Sequence, residues 1–230
     1  MAKKIFFVAY GGGHINLIDL VAKEILLDKE YEVVILALTT GYQKVIDTYP
    51  YGIVKRLLDY EFLFQDKIDT IKKIGNDFLK ENYNPSSGIS KDETILYLGL
   101  SMYELIQKYG SKKAHKLYNE RKRQAFLPIE TIKKILLYEK PSLVVSTTAP
   151  RFEQASLIAA NELDIESVEI LDLFGDLFPL PEAKHIICLN ENVKNQLIER
   201  GLTDRKYYPY GQPIIEDTAK KVLSLKKKNY

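Results

Sequence analysis

Apolar residues along this chain follow two rhythms. Residues 4–10 (KIFFVAY), 31–38 (YEVVILAL) and 142–147 (SLVVST) are short, nearly unbroken runs, the pattern of strands buried on both faces. Between the first two, apolar positions recur every three or four residues, at Leu17, Leu20, Val21, Ile25 and Leu26, which predicts a helix over 16–28. A short helix over 41–48 and a weaker strand over 53–58 follow. Buried strands alternating with helices predict βαβ units around a parallel sheet, an α/β protein. The rhythm then changes. Residues 63–82, 92–109, 111–123 and 128–139 all read as helical, with a polar break at Asn84-Pro85-Ser86-Ser87-Gly88. A helical insertion, about 62–140, therefore interrupts the sheet-forming sequence. After it the pattern predicts a strand at 142–147, a helix at 151–163, strands at 167–171 and 185–189, a helix at 191–200 and a short strand at 207–210.

Composition narrows the partners. With 46% apolar residues the chain has ample material for a core. The formal net charge is only +2, so nothing in the overall balance calls for nucleic acid, and none is expected. Cys188 is the one cysteine and has no internal disulfide partner, which fits a reducing cytoplasm. No run approaches the ~18 consecutive apolar residues of a spanning helix. The expected location is cytoplasmic, with peripheral contact at the inner face of the cell membrane as an extension. Three scattered histidines and one cysteine give no metal-ligand spacing, so no metal is expected.

In an open parallel sheet, ligands sit beyond the carboxyl ends of the strands. The first such end is Tyr10-Gly11-Gly12-Gly13-His14. Glycines between a strand and a helix let backbone approach a ligand, and the free amides of the helix favour an anion. A dinucleotide fingerprint needs a third glycine where Asn16 stands, and an acid after the second strand where the chain has Leu38-Thr39-Thr40. A phosphate-binding P-loop needs a Gly-Lys-Ser/Thr ending, also missing. His14 offers another reading, since an imidazole at that turn can accept a proton near neutral pH. Its ordinary use would be to cap the turn or fill space.

Further strand ends carry Thr40, then Thr148 and Arg151, then Asp172. Hydroxyls at such positions ordinarily cap the next helix, with ligand contact as the alternative. Asp172 could bind a sugar hydroxyl, hold His14 in one tautomer, or form a loop salt bridge. His115 lies among Lys112, Lys113, Lys116, Arg121, Lys122 and Arg123, ordinarily a solvated helix face and otherwise a contact for anionic membrane. His185 begins a strand and reads as structural.

The strand ending in Gly11-Gly12-Gly13-His14 before an apolar helix resembles the opening of GT-B glycosyltransferases of the MurG and diacylglycerol glycosyltransferase kind. The stretch from His185 through Val193-Lys194, Leu197 and Gly201-Leu202 to Gly211-Gln212-Pro213 is similar to the last strand and helix of that family's N-terminal domain and its Gly-x-Pro hinge. The resemblance implies a Rossmann-like acceptor-side domain over 1–213 and a hinge with a C-terminal helical tail over 214–230. It also implies that His14 lies in an interdomain cleft as a candidate base, with a nucleotide-diphosphate sugar, and no cofactor, as donor substrate. Only about seventeen residues follow Pro213, so the family's donor-binding domain is expected on a separate chain or segment.

The expected function is thus the acceptor half of a glycosyltransferase in polysaccharide or glycolipid assembly, acting on a sugar or lipid-linked acceptor. His14 and Asp172 are the expected catalytic pair. Gly11, Gly12, Gly13, Asn16, Thr40, Thr148 and Arg151 are the expected substrate-binding residues. A non-catalytic subunit that recruits a partner to the membrane, and a sugar-nucleotide epimerase or hydrolase on a similar fold, are the rival readings.

Overall fold

The computed structural model describes residues 2–171 and 180–228. Among these residues seven parallel strands form one sheet: β1 (Lys3–Ala9), β2 (Tyr31–Ala37), β3 (Val54–Lys55), β4 (Leu143–Thr147), β5 (Glu166–Ile170), β6 (His185–Ile187) and β7 (Lys206–Tyr208), in the order β3-β2-β1-β4-β5-β6-β7. The order reverses between β1 and β4, and at that point an open sheet leaves a crevice beyond its strand ends. Register makes the ends level. Ala9 pairs with Ala37, and Thr147 with Ile170, while Val8 opposite Ser146 sets β1 against β4.

Alternate residues of each central strand feed two cores, because successive side chains point to opposite faces. On one face Phe7, Ile35 and Val145 pack with Ile15, Leu17 and Ile18 of α1 (Gly13–Ile25) and Val45 of α2 (Thr40–Val45). On the other, Phe6, Val8, Leu36 and Val144 meet the insertion. Its helices are α3 (Ile68–Asp77), α4 (Leu79–Asn82), α5 (Lys91–Tyr109), α6 (Ser111–Arg121) and α7 (Ile129–Glu139), and α8 (Phe152–Glu162) joins them. Each such large apolar side chain, fully buried, contributes ~1.5–3 kcal/mol. A smaller cluster seats α9 (Glu191–Glu199) through Val193 and Leu197 on Ile186 and Leu171. The final helix α10 (Pro213–Lys228) returns to α1, where Ile214 packs beside the first core.

Two stretches depart from the sequence reading. The strand expected over 53–58 is only Val54–Lys55, and a 3-10 helix, Leu57–Phe64, follows. The backbone N–H groups of Leu57 and Leu58 donate to the buried Glu93 carboxylate, and that of Arg56 to Asp59, so they are unavailable to a sheet. The helix expected over 63–82 is broken into that 3-10 turn, α3 and α4. Ser90 caps α5, its hydroxyl accepting from the Glu93 N–H at 3.1 Å. Helices α3 and α5 cross at two glycines: a Cβ on Gly75 would stand 2.0 Å from the Ile95 carbonyl oxygen, and one on Gly99 2.2 Å from that of Ile71. Where α7 ends, Glu139 accepts from Lys4 (3.0 Å), Lys55 (2.7 Å) and the Tyr60 hydroxyl (2.9 Å).

Candidate active site

The three glycines of the first turn serve different ends. A Cβ on Gly11 would stand 2.1 Å from the Thr40 hydroxyl, so this position lets the β1 turn nestle against the β2 turn. Gly12 has φ 82°, a left-handed conformation that L side chains rarely adopt. Gly13, at ordinary φ, has nothing within 4 Å of where its Cβ would be. Neither packing nor backbone conformation calls for glycine there; open space before the helix does. The start of α1 has no side-chain cap and no acid in its first turn, so its amides face that space.

The turn is held from both sides. The Tyr10 N–H donates to the fully buried Glu153 carboxylate of α8 at 2.6 Å, and Lys44 of α2 donates to the Gly12 carbonyl at 2.9 Å. His14, in the first turn of α1, reaches across to β4, where its Nδ1 lies 2.9 Å from the buried Thr147 hydroxyl. If Nδ1 carries the proton and donates to Thr147, Nε2 keeps its lone pair as a proton acceptor.

On the insertion side of the same loop lies a cleft of about 480 Å³. Tyr10, Thr39 and Thr40 form its floor at the ends of β1 and β2, Tyr97 of α5 its back wall, and Arg123 and Arg151 its basic edge. The Arg151 guanidinium lies 4.3 Å from the Tyr10 ring centre. Tyr10 meets Tyr97 edge-on, and Tyr97 stacks on Phe152. Burial pushes the Tyr97 phenol well above its usual range, so it stays neutral.

Of the residues singled out by sequence, the structure gathers Gly11, Gly12, Gly13, His14, Thr40 and Arg151 around one loop. Asn16 is exposed on the first turn of α1. Thr148 has its hydroxyl buried beside Glu169 of β5. Asp172 lies outside the described residues. The sequence pattern assigns no role to Thr147, Glu153, Lys44, Tyr97 or Glu169. Thr147 sits one residue from the threonine that was singled out, and strand alternation, applied to SLVVST, would have assigned it to the α1 face with Val145. Glu169 is wholly enclosed. Burial raises its carboxyl to about 7, against the Glu182 and Ala183 N–H groups and the Thr148 hydroxyl, which favour the charged form. Among the described residues, no three histidine, cysteine or acidic side chains gather as a metal site, and no helix is long and apolar enough to cross a membrane.

No protein-family model and no curated protein matches the chain. Solved structures do. UDP-N-acetylglucosamine 2-epimerase from Rickettsia bellii superposes with a TM-score of 0.53 at 14% identity, over 99% of this chain and 49% of that one. UDP-GlcNAc 2-epimerase from Neisseria meningitidis, bound to UDP-GlcNAc, gives 0.52 at 12%, over 98% and 52%. MurG from Acinetobacter baumannii gives 0.47 at 12%, over 84% and 42%, a likeness too loose to carry more. The chain spans about half the length of these structures, and it has the fold of a GT-B half-molecule.

Proposed function

We propose that this chain is the acceptor-side half of a GT-B glycosyltransferase and that His14 is its general base. In this reading the acceptor hydroxyl gives its proton to Nε2 of His14 as its oxygen attacks the anomeric carbon of a nucleotide-diphosphate sugar. The bond from that carbon to the diphosphate breaks, and the nucleoside diphosphate leaves. A second half, on another segment or chain, holds the donor. Thr147 fixes the imidazole so that Nε2 is the accepting nitrogen, and Lys44 and Glu153 hold the loop that carries it.

The observation that carries the proposal is the open space at Gly12 and Gly13. The cleft lies on the insertion side of the loop and His14 on the α1 side. At Gly12 and Gly13 the turn puts no side chain between them, and nothing stands within 4 Å of where their Cβ atoms would be. An acceptor seated in the cleft can pass a hydroxyl over the turn to the imidazole. For a lipid-linked acceptor, the exposed Lys112, Lys113 and Lys116 of α6 supply a face for anionic membrane.

The experiment is product analysis with His14→Ala beside the unmodified chain, each paired with its donor-binding half. Transfer that needs acceptor, and falls ~10²- to 10⁴-fold in the variant, is the expected outcome. Conversion or release of the sugar without acceptor would favour the epimerase or hydrolase reading. No turnover with any nucleotide sugar would favour a recruiting subunit.

A further inference from the structure

We infer that the cleft between the insertion and the strand ends binds an oxyanionic group, phosphate or carboxylate, between Arg123 and Arg151. The two arginines come from segments far apart in sequence, the 3-10 turn Lys122–Ala125 of the insertion and the loop after β4. They meet on one cleft of about 480 Å³. Neither forms an ion pair among the described residues, and the Nε of Arg151 is buried with no hydrogen-bond partner. Among the described residues the one acid lining the cleft is Glu93, and it does not answer them. Its two oxygens accept from the Leu57 and Leu58 N–H groups at 3.1 Å each, and burial raises its pKa toward the neutral form. Two guanidiniums with no ion pair among the described residues, on a cleft also lined by threonine hydroxyls, match an oxyanion's acceptor-only chemistry.

Backbone strain singles out the same place. Of the five non-glycine residues with positive φ among the described residues, Thr39 (51°) and Arg151 (74°) line the cleft and Lys122 (51°) adjoins Arg123. Such conformations cost energy and persist where surrounding structure over-determines them. At Arg151 the outcome is a guanidinium laid across Tyr10 rather than released to solvent. Calling the bound group part of an acceptor rests on the transferase reading above. The site itself does not.

Equilibrium binding to the full chain, with no donor and no turnover, separates the two. Calorimetric titration with inorganic phosphate, an alkyl phosphate, an alkyl carboxylate and a neutral alkyl glucoside is the measurement. Binding of the charged probes, weakening with salt and falling about tenfold in Arg123→Gln, is the expected result. Preference for the alkyl phosphate over inorganic phosphate would assign the anion to a phosphorylated acceptor, and preference for the alkyl carboxylate to an acidic one. Arg123 is exposed, so its replacement leaves the core intact; Arg151→Lys, which keeps charge but loses the planar fork, should also weaken binding. Charged probes binding no better than the glucoside, or equally well to all three proteins, would overturn the site. Acceptor transfer can fail while this binding holds, and the reverse.

Discussion

Gly12 and Gly13 are neighbours with opposite reasons to be glycine. At φ 82° an alanine in place of Gly12 strains the backbone by ~1–2 kcal/mol. Gly13 begins a helix at ordinary φ with free space around it, so Gly13→Ala should leave stability unchanged or raise it by up to ~1 kcal/mol. A ligand passing over the turn would feel the added methyl. The two alanine variants should therefore separate in denaturant unfolding and in transfer assays: Gly12→Ala less stable, Gly13→Ala stable but slow. A fully active Gly13→Ala protein would mean that nothing approaches there. The sequence marked the glycine run as a ligand loop without distinguishing its members, since the Thr40 hydroxyl that excludes a Cβ at Gly11 arrives from the start of α2, far along the chain. For the same reason Arg123 read as one more member of a basic run.

Elements were legible where their period was strong. Phe6, Val8 and Val144 on one face, with Phe7 and Val145 on the other, follow directly from unbroken apolar runs. The region around residues 57–64 was not legible, because the Glu93 carboxylate that takes the Leu57 and Leu58 N–H groups lies more than thirty residues away in sequence. The crossing of α3 and α5 was equally hidden: Gly75 and Gly99 look like weak points in helical patterns, and only the packed pair shows each lying against the other helix's backbone. Gly99→Ala should thus destabilise despite alanine's better helix propensity, by ~1–3 kcal/mol or more from overpacking. Urea midpoints check the sign. A stabilised Gly99→Ala protein would contradict so close an approach.

For the whole molecule, two buried carboxyls, Glu139 at the end of α7 and Glu169 on β5, have opposite habits. Burial works to raise the Glu139 pKa, but the Lys55 and Lys4 ammoniums and the Tyr60 hydroxyl outweigh it and hold it below the usual value. Its contribution is present at neutral pH and is lost as pH falls through that lowered value. Glu169 behaves the other way, with its folded pKa about 7 against an ordinary 4.5. Between those values the folded state holds the proton more tightly than the unfolded chain, so stability falls as pH rises from 4.5 to 7, by on the order of 3 kcal/mol. In Glu169→Gln that slope should vanish, leaving the variant more stable relative to the unmodified protein at pH 8 than at pH 5. Unfolding free energies at those two pH values test it; parallel curves would show that Glu169 is not held neutral.

At this scale the architecture was readable from alternating strands and helices, and the GT-B likeness from the glycine-histidine turn and the Gly211-Gln212-Pro213 segment. The chemistry was less so, because Thr147, Glu153 and Lys44 acquire meaning only once the sheet brings them to the Tyr10–His14 loop. The most direct test of the account is acceptor-dependent release of nucleoside diphosphate by this chain joined with its donor-binding half, compared with the same assembly carrying His14→Ala. Release should require acceptor and drop ~10²- to 10⁴-fold in the variant. Near-unmodified turnover by His14→Ala, or sugar conversion that ignores the acceptor, would contradict it.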